Sequence, residues 1–231
     1  MWEGVCMKRL TIAGKEVQIV PSQKENAPLV ILHTVQGEGE SVYRMALEGA
    51  PMDFSFASIG NLAWDDEMSP WEIPPIAKGD KPCTGGADVY LNTLTETILP
   101  EILRHLPSPS FAALAGYSLA GLFAVYAMYR TDAFARIASA SGSFWYPGFL
   151  DYVRKHELKR QPEGMDFSLG NKEAKTRNKM LQSVEENTRW LENHYRASGI
   201  RTIYEENQGN HFQNANERMA KGICWILQFH H

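Results

Sequence analysis

Short apolar runs alternate along the chain with longer segments in which apolar residues recur at helical spacing. The short runs predict buried strands, and the longer segments predict amphipathic helices that cover them. Strands are predicted at residues 29–32, 53–59, 111–115, 135–143 (including an exit loop), 165–169 and 200–205. Helices are predicted at residues 40–47, 87–105, 149–157, 176–196 and 216–229, and directly after residue 121.

Two local features modify this pattern. Residues 7–12 and 16–20 are short alternating runs on either side of a glycine-bearing turn, which predicts a β-hairpin at the edge of the sheet. Pro100 lies inside the helix predicted at residues 87–105, and we expect a kink or a break there because proline removes a backbone hydrogen bond. Strand and helix otherwise alternate, so the pattern predicts an α/β protein with a mainly parallel sheet.

The length of 231 residues suits one large domain with a sizeable core. Residues 61–86 are rich in Pro, Gly, Asp and Trp, and we expect them to form a lid or rim at the edge of the sheet. Trp64 and Trp71 in this segment, with Trp145 and Tyr146 after a later strand, are candidates for a substrate pocket. The alternative is that the two tryptophans of the segment only pin it to the body.

One strand-turn-helix segment carries a candidate nucleophile. Gly116 and Ala120 stand two positions on either side of Ser118, which is the spacing of a nucleophile elbow. Small flanking residues allow the strand and the helix to cross closely there. The usual pattern has glycine at both positions, and Ala120 adds one methyl group. The alternative is an ordinary small-residue turn in which Ser118 caps the helix.

A base and an acid occur later in the chain, in the order that this topology requires. His211 lies in a glycine-bearing loop between the last strand and the closing helix, where it could take the serine proton and return it to the leaving group. Glu173 follows the preceding strand and could orient the imidazole. The alternative is a solvated charge at the start of a helix, which would leave a Ser–His dyad.

The loop at residues 33–39 follows the first buried strand and contains two glycines. Such a loop can present a backbone N–H group to a developing oxyanion. An ordinary strand-to-helix connection is equally consistent with this sequence.

Composition and charge narrow the class of partner. The net charge of −4 gives no reason to expect nucleic acid or an anionic membrane, and no apolar run is long enough to predict a membrane span. We see no signal-peptide pattern at the start of the sequence.

The three cysteines, Cys6, Cys83 and Cys224, are far apart and lack the spacing of a metal or disulfide motif, so we expect free thiols and a cytoplasmic location.

Several separated blocks together resemble the serine esterase family of α/β-hydrolases that includes enterochelin-esterase-like proteins and esterase D. The blocks are GYSLAGLFAVYA at 116–127, MSPW at 68–71, GGADVYLNTLTETILPEI at 85–102, SASGSFWYPGF at 139–149, SLGNKEAKTRN at 168–178 and GNHFQNANERMAKGICWIL at 209–227. They cover most of the chain after about residue 29.

This resemblance implies an α/β-hydrolase fold and a catalytic triad. It implies Ser118 as nucleophile, Glu173 as acid and His211 as base. It also implies an oxyanion hole formed by the amide of Leu119 and an amide of the 34–36 loop, for which we select Val35.

Together these observations predict hydrolysis of a carboxylic ester through an acyl-enzyme on Ser118. The partner would be a small-molecule ester, of siderophore type or a small aromatic or aliphatic one, and the reaction would need no metal and no cofactor. Two alternatives are an acyltransferase that uses the same triad and a non-catalytic binding module on a hydrolase scaffold. The sequence leaves the oligomeric state open.

Overall fold

A computed structural model describes residues 7–229 of the chain, so Cys6 lies outside the described residues. Within them, the strands are β1 Lys8–Ile12, β2 Lys15–Val20, β3 Leu29–His33, β4 Ser55–Gly60, β5 Glu72–Ile73, β6 Cys83–Thr84, β7 Ala112–Tyr117, β8 Arg136–Ala140, β9 Gly164–Gly170 and β10 Arg201–Asn207. The α-helices are α1 Gly39–Gly49, α2 Trp64–Glu67, α3 Ala87–Thr93, α4 Leu99–Leu103, α5 Leu119–Ala127, α6 Phe149–Lys155, α7 Lys179–Gln182, α8 Val184–Ala197 and α9 Ala215–Ile226.

Across residues 7–229, eight of the strands form one sheet in the order β1-β2-β4-β3-β7-β8-β9-β10. The pairs from β4 to β10 are parallel, whereas β1 and β2 form an antiparallel hairpin at the edge. The predicted α/β class, the parallel sheet and the edge hairpin are therefore confirmed. Because parallel strands end at the same edge, the loops that follow β3, β7, β8, β9 and β10 converge there.

Helices cover both faces of the sheet. Helices α1 and α9 pack together on one face, where Val42, Ala46 and Ile223 are buried. Helices α3, α5, α6 and α8 cover the other face and contribute to a larger core. Helix α5 is buried along its whole length, which agrees with its nearly continuous apolar sequence.

Two predicted helices are interrupted. A π-helical turn at Leu94–Ile98 separates α3 from α4 and ends just before Pro100, so the regular α-helix is interrupted beside this proline while the backbone stays helical. The single helix predicted at residues 176–196 is wrong, because α7 and α8 are separate. Ser183 lies between them and donates its hydroxyl to the Met180 carbonyl, and such side-chain hydrogen bonds compete with a continuous helix.

Residues 61–86 contain α2 and the short β5–β6 hairpin, and they lie against the body of the protein. Met68, Ile73 and Cys83 from this segment are buried in the larger core. Cys83 and Cys224 are free thiols. Within residues 7–229, no helix is both long and apolar enough to cross a membrane.

Candidate active site

Ser118 occupies the sharp turn between β7 and α5. Its backbone has φ 58° and ψ −124°, a conformation that non-glycine residues rarely adopt. Strand and helix cross so closely that a Cβ atom at Gly116 would lie 2.3 Å from the carbonyl oxygen of Ala120. The close crossing explains why position 116 is glycine. The Ala120 methyl group, by contrast, is accommodated and fully buried.

The structure brings the three predicted polar side chains together, although they come from three different loops. His211 Nε2 lies 3.0 Å from Ser118 Oγ, and His211 Nδ1 lies 2.7 Å from Glu173 Oε2. A carboxylate can only accept hydrogen bonds, so Nδ1 carries the proton and Nε2 can accept the serine hydroxyl. This tautomer is the one in which an imidazole can remove the proton of Ser118.

Glu173 remains an anion in spite of its burial. Burial alone would raise the pKa of this carboxyl group, but hydrogen bonds from His211, Ser141 and the Gly170 amide outweigh burial and lower the pKa. The Ser141 hydroxyl and the Gly170 amide both donate to Oε1 at 2.7 Å. Glu173 is therefore not the solvated helix-start charge that the sequence left open, because its side chain is 4% exposed.

Arg218 also contacts this carboxylate, and the sequence analysis missed it. Its Nη1 donates to Glu173 Oε1 at 2.8 Å, and its side chain is 1% exposed. A signal was present in the sequence, because Arg218 lies on the stripe of α9 that also carries Gly222 and Ile226. An arginine on the buried stripe of an amphipathic helix requires a buried partner.

The two predicted oxyanion donors differ in their environment. The Leu119 amide lies in the first turn of α5, where a helix offers no intrahelical acceptor. The Val35 amide, however, donates to Glu38 Oε1 at 3.0 Å, and the Gln36 amide donates to Glu38 Oε2 at 2.8 Å. In this structure the carboxylate of Glu38 thus occupies the acceptor position in front of Val35.

A cavity of about 440 Å³ opens beside Ser118. Its walls are mostly apolar, and Phe212 on its rim is 88% exposed. The lining residues are Leu32, His33, Val35, Gln36, Glu38, Val42, Trp64, Tyr117, Ser118, His211, Phe212, Ala215, Asn216 and Met219. Among these described residues, Glu38 is the one carboxylate, and there is no lysine or arginine.

Of the four aromatic residues that we predicted to bind substrate, Trp64 lines this cavity, and the other three lie outside its lining. Trp71 packs against Tyr146 and donates its indole N–H to the Pro147 carbonyl at 3.0 Å. Tyr146 is buried, and Trp145 packs beside it. These contacts explain the different placement: Trp71 and Tyr146 hold residues 61–86 to the body, as the alternative interpretation stated for Trp71, and Trp145 packs against Tyr146.

His33 ends β3 beneath the cavity and is completely buried. Its Nε2 shares a hydrogen bond of 2.8 Å with the Tyr90 hydroxyl, and its ring packs edge-on against Phe123. Burial lowers the pKa of His33 to about 3, so the ring is neutral at physiological pH. His33 is therefore a packing element of the cavity floor. Within residues 7–229, no group of three or more His, Cys, Asp or Glu side chains is placed to hold a metal ion.

Comparisons with known proteins identify the family and the fold. The family model "Putative esterase" matches residues 59–215. A Bacillus subtilis (strain 168) protein named "Uncharacterized protein YbbA" is 23% identical over 139 residues, which cover 58% of this chain and 56% of that relative. The match thus spans little more than half of the relative's length.

Solved structures of serine hydrolases share the fold. An IroE-like serine hydrolase from Shewanella oneidensis superposes with a TM-score of 0.75 at 18% identity, over 96% of this chain and 80% of that one. The enterobactin esterase FES from Shigella flexneri was solved in the presence of enterobactin. It superposes with a TM-score of 0.70 at 16% identity, over 97% of this chain and 59% of that one. The predicted α/β-hydrolase fold is confirmed. Because the family model covers more than half of the sequence, the chain belongs to the esterase family.

Proposed function

We propose that the protein hydrolyses carboxylic esters, with Ser118 as nucleophile, His211 as general base and Glu173 as the orienting acid. The observation that carries this proposal is the continuous hydrogen-bonded chain from Ser118 Oγ through the imidazole to the Glu173 carboxylate. Such a chain lets the serine lose its proton as its oxygen attacks. The strained backbone of Ser118 supports the same role, because strain of this kind concentrates at functional sites.

The reaction would proceed in two stages. Ser118 Oγ attacks the ester carbonyl carbon while His211 Nε2 takes the hydroxyl proton, and the carbonyl oxygen becomes an oxyanion. Collapse of this intermediate breaks the bond to the alcohol, which leaves with the proton from His211 and leaves an acyl group on Ser118. Water then repeats these steps, releases the acid and restores the serine.

The oxyanion would accept a hydrogen bond from the Leu119 amide at the start of α5, where the helix dipole also favours negative charge. Val35 is our proposal for the second donor. Its amide would exchange the Glu38 carboxylate for the substrate oxyanion as acceptor, because both are negatively charged oxygens that accept a hydrogen bond from a backbone N–H group.

The proposed substrate is a small ester with an apolar or aromatic group. The partly buried ring of Trp64, the exposed ring of Phe212 and the apolar cavity walls support such a group. Siderophore esters enter this proposal through the structural relatives named for enterobactin. A cavity without lysine or arginine among its described lining residues favours neutral esters over anionic ones.

The free thiols of Cys83 and Cys224 favour a reducing compartment, such as the cytoplasm.

Substitution of the nucleophile and of the base tests the mechanism. We expect Ser118→Ala and His211→Ala each to reduce kcat/KM on a short p-nitrophenyl ester by about 10³-fold or more. We expect Glu173→Gln to reduce kcat/KM by a smaller factor. An unchanged kcat/KM in this variant would favour a Ser–His dyad.

Ser143→Ala is the comparison variant, because its hydroxyl shares a hydrogen bond of 3.3 Å with Ser118 Oγ but lies outside the chain from Ser118 through His211 to Glu173. We expect this variant to keep kcat/KM within about tenfold of the wild type. If a folded Ser118→Ala or His211→Ala variant keeps near wild-type turnover, the proposed mechanism is wrong.

A further inference from the structure

We propose that Arg218 is a positioning residue for the reaction, which sets both the charge and the geometry of the Glu173–His211 pair. This inference rests on the proposed function of that pair. The guanidinium group does not line the cavity beside Ser118, so it would act through its neighbours rather than on the substrate.

The guanidinium group connects several of the loops that form the site. Its Nη1 donates to Glu173 Oε1 at 2.8 Å, to the Ser141 hydroxyl at 3.1 Å and to the Tyr117 hydroxyl at 3.1 Å. Its Nη2 donates to two main-chain carbonyls, those of Gln208 at 3.2 Å and Asn210 at 2.9 Å. Only a planar fork with several donors can satisfy acceptors in so many directions.

These contacts hold the loop that carries His211 from two sides. The carbonyls of Gln208 and Asn210 precede the histidine by three residues and by one. The Tyr117 hydroxyl, which accepts from Arg218, donates in turn to the His211 carbonyl at 2.8 Å. Loss of the fork would therefore let the imidazole drift from Ser118, and small misplacements of a catalytic group are costly.

Space for the guanidinium group depends on glycine at position 170. A Cβ atom there would lie 2.8 Å from Arg218 Nη2 and 2.5 Å from the Gly209 carbonyl oxygen. The end of β9 thus accommodates the cation directly behind the loop that carries Glu173. Arg218 and Glu173 are both almost fully buried, so solvent screens the attraction between them only weakly.

The charge of Arg218 has a specific consequence for the pH profile. The carboxylate of Glu173 favours the protonated imidazole, and the nearby guanidinium group opposes that effect. Removal of the cation leaves the carboxylate uncompensated, which favours a bound proton on the Glu173–His211 pair and moves the acid limb of kcat/KM to higher pH. A residue that only filled space would change the folded fraction without moving the acid limb of the profile.

Arg218→Met and Arg218→Lys separate charge from fork geometry. We expect Arg218→Met to lower kcat by about 30-fold with KM within threefold, and to move the acid limb of kcat/KM upward by about 0.5–1.5 pH units. We expect Arg218→Lys to lower kcat but to leave the acid limb in place, because lysine keeps the charge and lacks the fork.

Lys221→Met is the matched control, since it removes an exposed cation from the same helix, where Lys221 pairs with Glu205 at 3.0 Å. We expect both its kcat and its acid limb to match those of the wild type. The proposal is overturned if Arg218→Met and Arg218→Lys lose activity only in proportion to their folded fraction, with an unchanged acid limb.

A double variant keeps the test decisive if Arg218→Met alone does not fold. Replacement of both members of a buried ion pair by neutral residues is often tolerated, whereas removal of one member is not. We expect the double variant Glu173→Gln with Arg218→Met to have a kcat less than about fivefold below that of Glu173→Gln alone. An equal cost in both backgrounds would contradict the proposal. Retained activity of Ser118→Ala would instead reject the proposed function, and the proposed role of Arg218 in that reaction would be rejected with it.

Discussion

Gly116 lies so close to the carbonyl of Ala120 that no side chain fits between β7 and α5. We therefore expect Gly116→Ala to abolish esterase activity or folding, because the added methyl group would force the strand and the helix apart. Ala120→Gly is the natural comparison, since it only removes a methyl group that the elbow already accommodates. We expect it to keep at least about a third of the activity, with a stability loss near 1 kcal/mol. Activity assays and urea denaturation of both variants test this, and an active Gly116→Ala variant would contradict it.

Trp64 and Trp71 provide a second comparison between single residues. Trp64 lines the cavity, whereas Trp71 packs against Tyr146 and holds the Pro147 carbonyl. We expect Trp64→Ala to raise KM for an aromatic ester several-fold with a modest effect on stability. We expect Trp71→Ala to lower the free energy of unfolding by about 3–4 kcal/mol while the folded fraction retains its KM. Steady-state kinetics and urea denaturation distinguish the two variants. A raised KM in Trp71→Ala, with an unchanged KM in Trp64→Ala, would contradict the description of the cavity.

Strand β9 contains a buried acid that the proposed reaction does not use. Asp166 is 1% exposed, and its Oδ2 has no hydrogen-bond partner among the described residues. It faces α9 at Gly222, where a Cβ atom would lie 2.5 Å from Oδ2. Burial, with a smaller contribution from the charge of Glu205, raises the pKa of Asp166 well above 3.8.

This raised pKa predicts how stability depends on pH. The folded chain binds the proton of Asp166 more tightly than the unfolded chain, so its contribution to stability is complete below pH 3.8 and is lost as the pH rises through the folded pKa. We expect Asp166→Asn to resemble the wild type near pH 4 and to be more stable at pH 8. Urea denaturation across this range tests the prediction, with exposed Asp132→Asn as control. A less stable Asp166→Asn variant at pH 8 would contradict it.

The positions of the buried strands and the place of the site could be predicted from the sequence because both depend on local patterns. Apolar runs define the strands, and parallel strands deliver the loops of Ser118, Glu173 and His211 to one edge. The break between α7 and α8 could not be predicted. Beside the break, the Asn187 amide donates to the Ser183 hydroxyl and to the distant Phe144 carbonyl, and the second of these is a tertiary contact that no local pattern shows.

Tertiary contacts also explain what the sequence left open in the site. Composition alone cannot distinguish Trp64 from Trp71, because the two occur in the same segment and differ only in what they pack against. The role that we propose for Arg218 depends on acceptors from the end of β7 and from three separate loops, which no local pattern joins. The contact between Glu38 and the Val35 amide is local but depends on a side-chain rotamer.

The molecule as a whole presents a cavity with one described carboxylate and no described lysine or arginine in its lining. We expect a neutral ester to be hydrolysed faster than an isosteric ester that carries a carboxylate. We expect Glu38→Gln to raise the kcat/KM ratio of the anionic to the neutral ester by about three- to tenfold, because it removes like-charge repulsion. Glu40→Gln is the control, since Glu40 pairs with Arg44 on α1 and does not line the cavity. A ratio unchanged by Glu38→Gln would contradict this view of the cavity.

The central claim is that Ser118 is a nucleophile activated by His211. A fluorophosphonate probe reacts with an activated serine and forms a covalent bond to its oxygen, and mass spectrometry of the proteolysed protein locates the modified residue. We predict modification of the wild type at Ser118, strong loss of labelling in His211→Ala, and labelling of Ser143→Ala comparable to that of the wild type. A folded wild-type protein that carries no label on Ser118 would contradict the claim and would favour a binding module on a hydrolase scaffold.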